Sequence, residues 1–435
     1  MEAKESYLSC VHCAQTYSLA AGGVKFTCEC GGLLDVVHDF SDWKLRDEKI
    51  LKSFFMQRRW FQDTRGDKSG VWRYRELVFP GLKDHEFVTR GEGNTRLYGP
   101  DAFVKTNRWI NGPQVFCKHE GENPTGSFKD RGMTAAMTWA RRSAGRVVAC
   151  ASTGNTSASV ASYAALTGMT AVILIPEKGV ALGKVSQSLA YGAKTVKVRG
   201  DFDAALALLL AASDQIPGLR IMNSVNPFRL EGQKTILFEA FEQLGWNAPD
   251  WVVVPAGNLG NGSAFGKAIR EAVELGLITK TPRIAMVQAA GANPLWLASQ
   301  SGWKKQIVHA DTIATAIKIG DPVNFDKAKR AILETDGVVI QVTDQEIMDA
   351  KAIVDSDGVG AEPASCAAIA GLRKLVEFGT VKPTETALAI LTGHLLKDPD
   401  ATIGYHASTL PGFTSAYANA PVTIDPTVEA FTRVL

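Results

Sequence analysis

The chain has 435 residues, 46% of them apolar and 21% charged, which is enough for two or three domains of about 150 residues and excludes a disordered composition. Its 47 Lys and Arg against 45 Asp and Glu leave a net charge of +2, without the basic excess that a nucleic-acid partner requires. The longest apolar run, Ala204 to Ala212, is far below the roughly 18 residues of a membrane span, so no membrane partner is expected either. The segment from Met1 to Cys10 has no apolar stretch behind a basic one, which points to a cytoplasmic protein with reduced thiols.

In chain order, residues 1–40 read as a cysteine-bearing, ribbon-like element. Cys10 and Cys13 form one close pair and Cys28 and Cys30 another, and four thiolates at such spacing can surround one structural zinc. The second pair is tighter than the usual knuckle, His12 and His38 are alternative ligands, and plain structural burial of the cysteines is the competing reading. Residues 41–115 carry a charged, Trp-rich stretch from Asp42 to Arg75 with no strand-helix rhythm, and read as an N-terminal extension leading into the large domain.

From Phe116 onward, short β-branched runs alternate with helical stretches, the pattern of parallel sheets covered by helices on both faces. Strands are predicted at Val147–Ser152, Ala171–Pro176, Lys194–Val198, Leu219–Ser224, Trp251–Ala256, Arg283–Ala289, Val338–Val342 and Ala387–Leu391. Helices are predicted at Met133–Arg141, Leu182–Tyr191, Ala204–Ala212, Gly232–Leu244 and Asn261–Leu275. The fold class is therefore α/β with two parallel-type sheet domains, a smaller one over 116–235 and a larger one over 236–435.

The segment Pro124-Thr-Gly-Ser-Phe-Lys-Asp-Arg-Gly-Met133 is a turn-rich loop running into a helix, with Lys129 at the junction. Positive helix-end dipoles there disfavour an ammonium and favour an amine nucleophile toward an aldehyde. Taken alone, Lys129 could be an ordinary surface lysine. The string resembles the cofactor-lysine motif of the β-family, fold type II pyridoxal-phosphate enzymes, and in particular that of threonine synthases. The resemblance implies a tryptophan synthase β-like fold, pyridoxal 5'-phosphate as cofactor, and Lys129 as both its covalent attachment and the general base.

Ser152-Thr-Gly-Asn-Thr-Ser157 opens a helix with small hydrogen-bonding residues, a composition that either caps the helix or binds an anion. The resemblance implies that Ser152, Thr153 and Thr156 hold the substrate carboxylate and that Asn155 meets the cofactor's phenolic oxygen. Gly257-Asn-Leu-Gly-Asn-Gly262 lies between a strand and a helix, where a glycine loop can cradle phosphate but equally often serves tight packing. By resemblance Gly257, Asn258, Leu259, Gly260 and Asn261 hold the cofactor phosphate; the loop lacks the full dinucleotide fingerprint. Thr392, in Leu391-Thr-Gly-His-Leu-Leu-Lys-Asp-Pro-Asp400, matches the hydroxyl facing the pyridine nitrogen, with Leu395 replacing the usual glycine. His394 beside it reads as a turn residue and not a base.

Asn223-Ser-Val-Asn-Pro-Phe-Arg-Leu-Glu-Gly-Gln-Lys-Thr235 resembles the segment that holds the phosphate of O-phospho-L-homoserine, which implies Arg229, Asn223 and Ser224 as phosphate ligands, with Lys184 as an additional cation. Ser69 to Leu77, Glu92-Gly-Asn-Thr95, Ala314 to Gly320 and Glu362-Pro-Ala-Ser365 extend the resemblance over most of the chain. Two departures stand out: Arg96 in place of a proline, and Glu122 where an uncharged residue is usual. The implied activity is a carbon–oxygen lyase reaction giving L-threonine and phosphate, and the implied assembly is a homodimer. A threonine or serine ammonia-lyase of the same fold, or a non-catalytic relative, are the alternatives; the first needs no second phosphate site, and the second would not need Lys129 and Asn155.

Overall fold

The computed structural model describes residues 6–19, 26–44, 47–177, 185–200 and 202–435. The strands are β1 (Tyr7–Cys10), β2 (Thr16–Ser18), β3 (Leu34–Val37), β4 (Leu97–Tyr98), β5 (Gln114–His119), β6 (Val147–Ala151), β7 (Thr170–Pro176), β8 (Lys194–Val198), β9 (Leu219–Ile221), β10 (Trp251–Pro255), β11 (Arg283–Ala289), β12 (Val338–Val342) and β13 (Thr386–Leu391). They form an antiparallel sheet in the order β2-β1-β3, a parallel sheet β8-β7-β6-β9, and a larger sheet β12-β11-β10-β13-β5-β4 in which only the β4 pairing is antiparallel.

Two-sided burial explains the apolar strands. Val252, Val254, Ile284, Met286, Leu388 and Ile390 face one core with Phe238, Phe241 and Phe265. Trp251, Val253, Ala285, Val287, Ala387 and Ala389 face a second core under the helix Pro363–Glu377. A parallel strand covered on both faces has no polar side to present, so alternation is replaced by a continuous apolar run.

Every predicted strand is present with ends shifted by no more than three residues, and β5 pairs with β13 in the larger sheet. The 116–235 range therefore contributes strands to both parallel sheets. Two helix predictions need correction. The helix at Met133 begins earlier, as Lys129–Arg142, and the stretch 232–244 is two helices, Pro227–Gln233 and Thr235–Gln243. The predicted helix 182–191 is Ser186–Ala190 where described; residues 182–184 lie outside the described residues.

One crossing accounts for both corrections. Asn226 caps the helix Pro227–Gln233 through its side chain, which accepts from the Phe228 amide at 3.0 Å, and Pro227 fixes the first turn. That helix runs against Lys129–Arg142 so closely that a Cβ on Gly232 would collide with the Arg131 carbonyl, and a Cβ on Gly132 would stand 2.9 Å from the Arg229 carbonyl. Glycine, which single-sequence reasoning treats as a reason to doubt a helix, is here what lets the two backbones touch. The contact fixes Lys129 and Arg229 relative to each other. Gly232→Ala is accordingly expected to lower stability by about 1–3 kcal/mol through overpacking, read as a reduced urea midpoint with unchanged slope.

Candidate active site

The carboxyl ends of the parallel neighbours β5, β13 and β10 lie side by side, the usual place for a ligand in an open α/β sheet. The Lys129 loop is stitched to the loop after β13: Phe128 N donates to Thr392 O at 3.0 Å, and His394 N to Gly126 O at 2.9 Å. Lys129 is the first residue of its helix and half-buried, its Nζ 4.1 Å from the centre of the Phe128 ring. The adjoining Asp130 carboxylate accepts from Thr125 N and Oγ1, both at 2.7 Å, and from Ser159 Oγ at 2.6 Å. These bonds tie the lysine loop to the helix Asn155–Thr167.

Loss of hydration brings the Lys129 ammonium down to about 7, the neighbouring Arg229 cation acts in the same direction, and Glu362 opposes them. Near neutral pH a large fraction is free amine, the form that serves as nucleophile and base.

Glu362 was quoted in the sequence only as part of a matching string, yet it is the polar hub of the site. Its buried carboxylate accepts from Asn155 Nδ2 at 3.0 Å and from Thr392 Oγ1 at 3.3 Å. Thr392 Oγ1 is also 2.9 Å from Ser365 Oγ. Burial raises the Glu362 carboxyl above the ordinary range. The missed signal was its place just before Pro363, the first residue of a helix whose core-facing side is all small or apolar: an acid there is buried, and a buried acid needs partners.

Ser152 to Thr156 follow β6 directly, with Gly154 preceding the helix and Gly154 N donating to Ser152 Oγ at 3.2 Å. Ser152, Thr153 and Thr156 are half-buried and Asn155 buried. In Gly257–Gly262, Leu259 takes the left-handed conformation at φ 62° and no side chain caps the first turn of the helix Gly260–Glu274. A Cβ on Gly257 would stand 2.8 Å from Ile317 Cα, so the loop's closeness to its neighbour requires glycine. Asn258 Oδ1 accepts from Val323 N at 2.8 Å, and Asn261 Oδ1 from Gln233 Nε2 at 2.8 Å, so both side chains brace the loop.

Arg229 is buried, its Nη1 donating to Met222 O at 2.9 Å and lying 3.5 Å from Ser224 Oγ, while its Nε has no partner among the described residues. Among the described residues no carboxylate pairs with it, and burial lowers its guanidinium to about 10. The Asn223 side chain is occupied with the end of β6, accepting from Ala151 N and donating to Ala151 O, each at 3.0 Å. Asn324 Nδ2 links Ser224 O and Asn258 O, both at 3.3 Å, joining the Arg229 segment to the glycine loop. Lys184 lies outside the described residues. His394 caps the turn Leu395–Lys397, its Nδ1 accepting from Leu396 N at 3.1 Å, as a turn residue does.

The two departures noted in the sequence meet each other. Glu122 Oε2 accepts from the backbone amide of Arg96 at 2.7 Å, and its Oε1 from Tyr98 Oη at 2.8 Å. Proline at 96 has no N–H to give. Glu122 and Arg96 thus form one local device, and neither touches Lys129.

Residues 88–393 match the family model described as "Pyridoxal-phosphate dependent enzyme". The chain is 44% identical over 400 residues to the threonine synthase of Methanocaldococcus jannaschii, covering 91% of this chain and 93% of that protein. It is 35% identical to threonine synthase 2, chloroplastic, of Arabidopsis thaliana, covering 94% of this chain and 80% of the relative. In fold it resembles the crystal structure of Escherichia coli threonine synthase, with a TM-score of 0.66 at 21% identity over 98% of this chain and 94% of the other. The processed threonine deaminase isoform 2 of Solanum lycopersicum shares the fold at a TM-score of 0.60 and 24% identity, over 71% of this chain and 87% of that one.

Burial first, and then the charges of Arg229 and Glu362, set the titration of Lys129. In the cofactor-free protein, labelling of Lys129 by an amine-directed reagent, followed by peptide mass spectrometry, is expected to rise with pH through a midpoint near 7. Arg229→Gln removes a cation that disfavours the ammonium, so its midpoint moves to higher pH.

Proposed function

The chain belongs to the pyridoxal-phosphate dependent enzymes and, within them, to the threonine synthases, and from that membership we propose that its substrate is O-phospho-L-homoserine, converted with water to L-threonine and phosphate. The observation that carries the substrate assignment is Arg229: a buried guanidinium with no carboxylate partner and an unpartnered Nε among the described residues. A buried charge is retained only where something compensates it, and a phosphate group is a ligand whose paired oxygens suit a guanidinium.

The chain's own residues fit the cofactor. Lys129 is an amine able to make a covalent bond, Gly257 to Asn261 lead into a helix start that no side chain caps, and Glu362 ties together the polar side chains of Asn155 and Thr392. When bound, pyridoxal 5'-phosphate supplies an electron sink for carbanion chemistry at the substrate's carbon skeleton.

In this reading Arg229, with Ser224 beside it, holds the substrate phosphate and stabilises the charge that develops as the γ carbon–oxygen bond breaks. Ser152, Thr153 and Thr156 bind the α-carboxylate at the start of the helix Asn155–Thr167. Asn223 acts indirectly, fixing the end of β6 from which that loop departs. Lys129 removes protons at Cα and Cβ and returns them in the later half of the reaction, a role matched to an amine that titrates at about 7. Glu362 holds the amide of Asn155 and the hydroxyl of Thr392 in fixed orientation toward the cofactor ring.

We place the enzyme in the cytoplasm as a homodimer. Among the described residues no helix is long and apolar enough to cross a membrane. The helix Glu48–Phe61 leaves Trp60 75% and Phe61 71% exposed at its end, an apolar face suited to a second copy. Sedimentation velocity is expected to give twice the chain mass of 46.8 kDa.

Purified protein supplied with O-phospho-L-homoserine is expected to release phosphate and threonine in equal amounts, and Lys129→Ala to release neither and to lack the absorbance of the lysine-linked cofactor. Arg229→Gln is expected to lower kcat/KM for this substrate by roughly 100-fold, about 2.7 kcal/mol, with the cofactor absorbance retained. Ammonia from threonine or serine, without phosphate release, would instead assign a lyase of the deaminating kind.

A further inference from the structure

A second constellation of reactive side chains lies well outside the Lys129 site. Cys10 and Cys13 flank the turn after β1, Cys28 and Cys30 the turn before β3, and their four Sγ atoms all lie within 4.8 Å of one another. Cys10 Sγ stands 3.4 Å from Cys30 Sγ, and Cys13 Sγ 3.6 Å from Cys28 Sγ. Four sulfurs at about 2.3 Å from one tetrahedral zinc are about 3.8 Å apart, the spacing of this cluster. A disulfide needs about 2.05 Å, and all four thiols are free.

The backbone is built to hold that arrangement. Ala14 N bonds to Cys10 O at 3.1 Å and Gly31 N to Cys28 O at 2.9 Å, closing two small turns, while Val11 N to Leu33 O at 3.0 Å and Cys28 N to Gly32 O at 2.7 Å tie the strands beside them. Gly31 has φ 82°, and a Cβ on Gly32 would stand 2.7 Å from Cys10 Sγ, so the close second pair is made possible by the two glycines that follow it. Donors approach the sulfurs: His12 N to Cys10 Sγ at 3.4 Å and Tyr17 Oη at 3.1 Å from Cys28 Sγ.

Simple burial does not account for the cluster, because Cys13 and Cys30 are exposed while Cys10 and Cys28 are buried. Nor do the histidines compete. His12 Nε2 lies 2.8 Å from Asp326 Oδ2, and His38 Nε2 2.7 Å from Glu231 Oε2.

We propose that Cys10, Cys13, Cys28 and Cys30 bind one zinc ion as four thiolates, each thiol giving up its proton on coordination, and that this closed site is structural. The three-stranded sheet is too small for a core of its own, and Leu8, Leu34 and Val36 bury instead against Met133, Met137 and Trp139 of the Lys129 helix. From the same sheet, Asp35 Oδ1 lies 3.3 Å from Lys327 Nζ, and Lys267 Nζ donates to Val36 O. His38 meets Glu231, two residues beyond Arg229. The metal therefore fixes a brace applied to the back of the helices that carry Lys129 and Arg229.

The test uses the full chain purified without chelator or metal-affinity steps. Elemental analysis is expected to give one zinc per chain, released in one step by an organomercurial titrating four thiols, with Cys117, Cys150 and Cys366 buried and slow. Cobalt exchanged into the same chain should show thiolate charge-transfer and tetrahedral ligand-field absorption. Cys13→Ser should lower metal content at least tenfold and reduce the thermal midpoint while the cofactor absorbance is retained; if that variant does not fold, the cobalt spectrum of the unchanged chain decides. Less than a tenth of an equivalent of metal, two disulfides by mass spectrometry, or an octahedral cobalt spectrum would each overturn the proposal.

Discussion

The buried charges around Arg131 are the constraint on which the rest of the molecule rests. Its guanidinium makes two bonds to Glu120, Nε to Oε2 at 2.6 Å and Nη2 to Oε1 at 2.7 Å, and a third to Glu239 Oε1 at 2.8 Å. Lys118 Nζ reaches the same Glu239 oxygen at 2.6 Å, and Arg73 Nη2 its other oxygen at 3.3 Å. Burial opposes every one of these charges. The three cations nonetheless hold Glu239 well below the usual carboxylate range, and Glu120 and Glu239 hold Arg131 charged. Removing one member of such a set leaves an uncompensated buried charge, at a cost of about 3–5 kcal/mol. The set joins β5, the start of the Lys129 helix, the helix Thr235–Gln243 and the Asn94–Thr95 turn in one place, so the loop bearing Lys129 has little freedom to move.

Against that rigid base, the active site carries an imbalance of the opposite kind. Around Arg131 every charge is answered by protein; around Arg229 it is not, and Lys129 beside it is pushed toward the free amine. The network and the functional pair share the Lys129 helix, which carries Arg131 and crosses the Arg229 helix at Gly132 and Gly232. Close backbone contact at that crossing sets where Lys129 and Arg229 stand relative to each other.

Glu362, Arg96 and Glu122 illustrate how context changes the meaning of a residue. Glu362 would pass in sequence for an ordinary helix-start acid, yet it organises Asn155 and Thr392. Arg96 and Glu122 looked like two separate departures, and they are one hydrogen-bonded unit whose donor is a backbone amide that proline lacks. Pairing across 26 residues leaves no periodic trace, which is why neither could be interpreted alone.

The sequence by itself determined the alternation of strands and helices, because two-sided burial writes continuous apolar runs into each parallel strand, and it singled out Lys129, Asn155, the glycine loop and Arg229 as candidates, because contiguous motifs keep their order along the chain. It also determined the four cysteines as a set. Only the tertiary structure decided what depends on contacts between distant segments: the helix break after Gln233, the start of the Lys129 helix ahead of Met133, the use of Asn223 as a support for β6, the central place of Glu362, and the convergence of both cysteine pairs. Each of these follows from side chains and backbones meeting across long stretches of chain, where sterics and charge compensation act and local propensity carries no information.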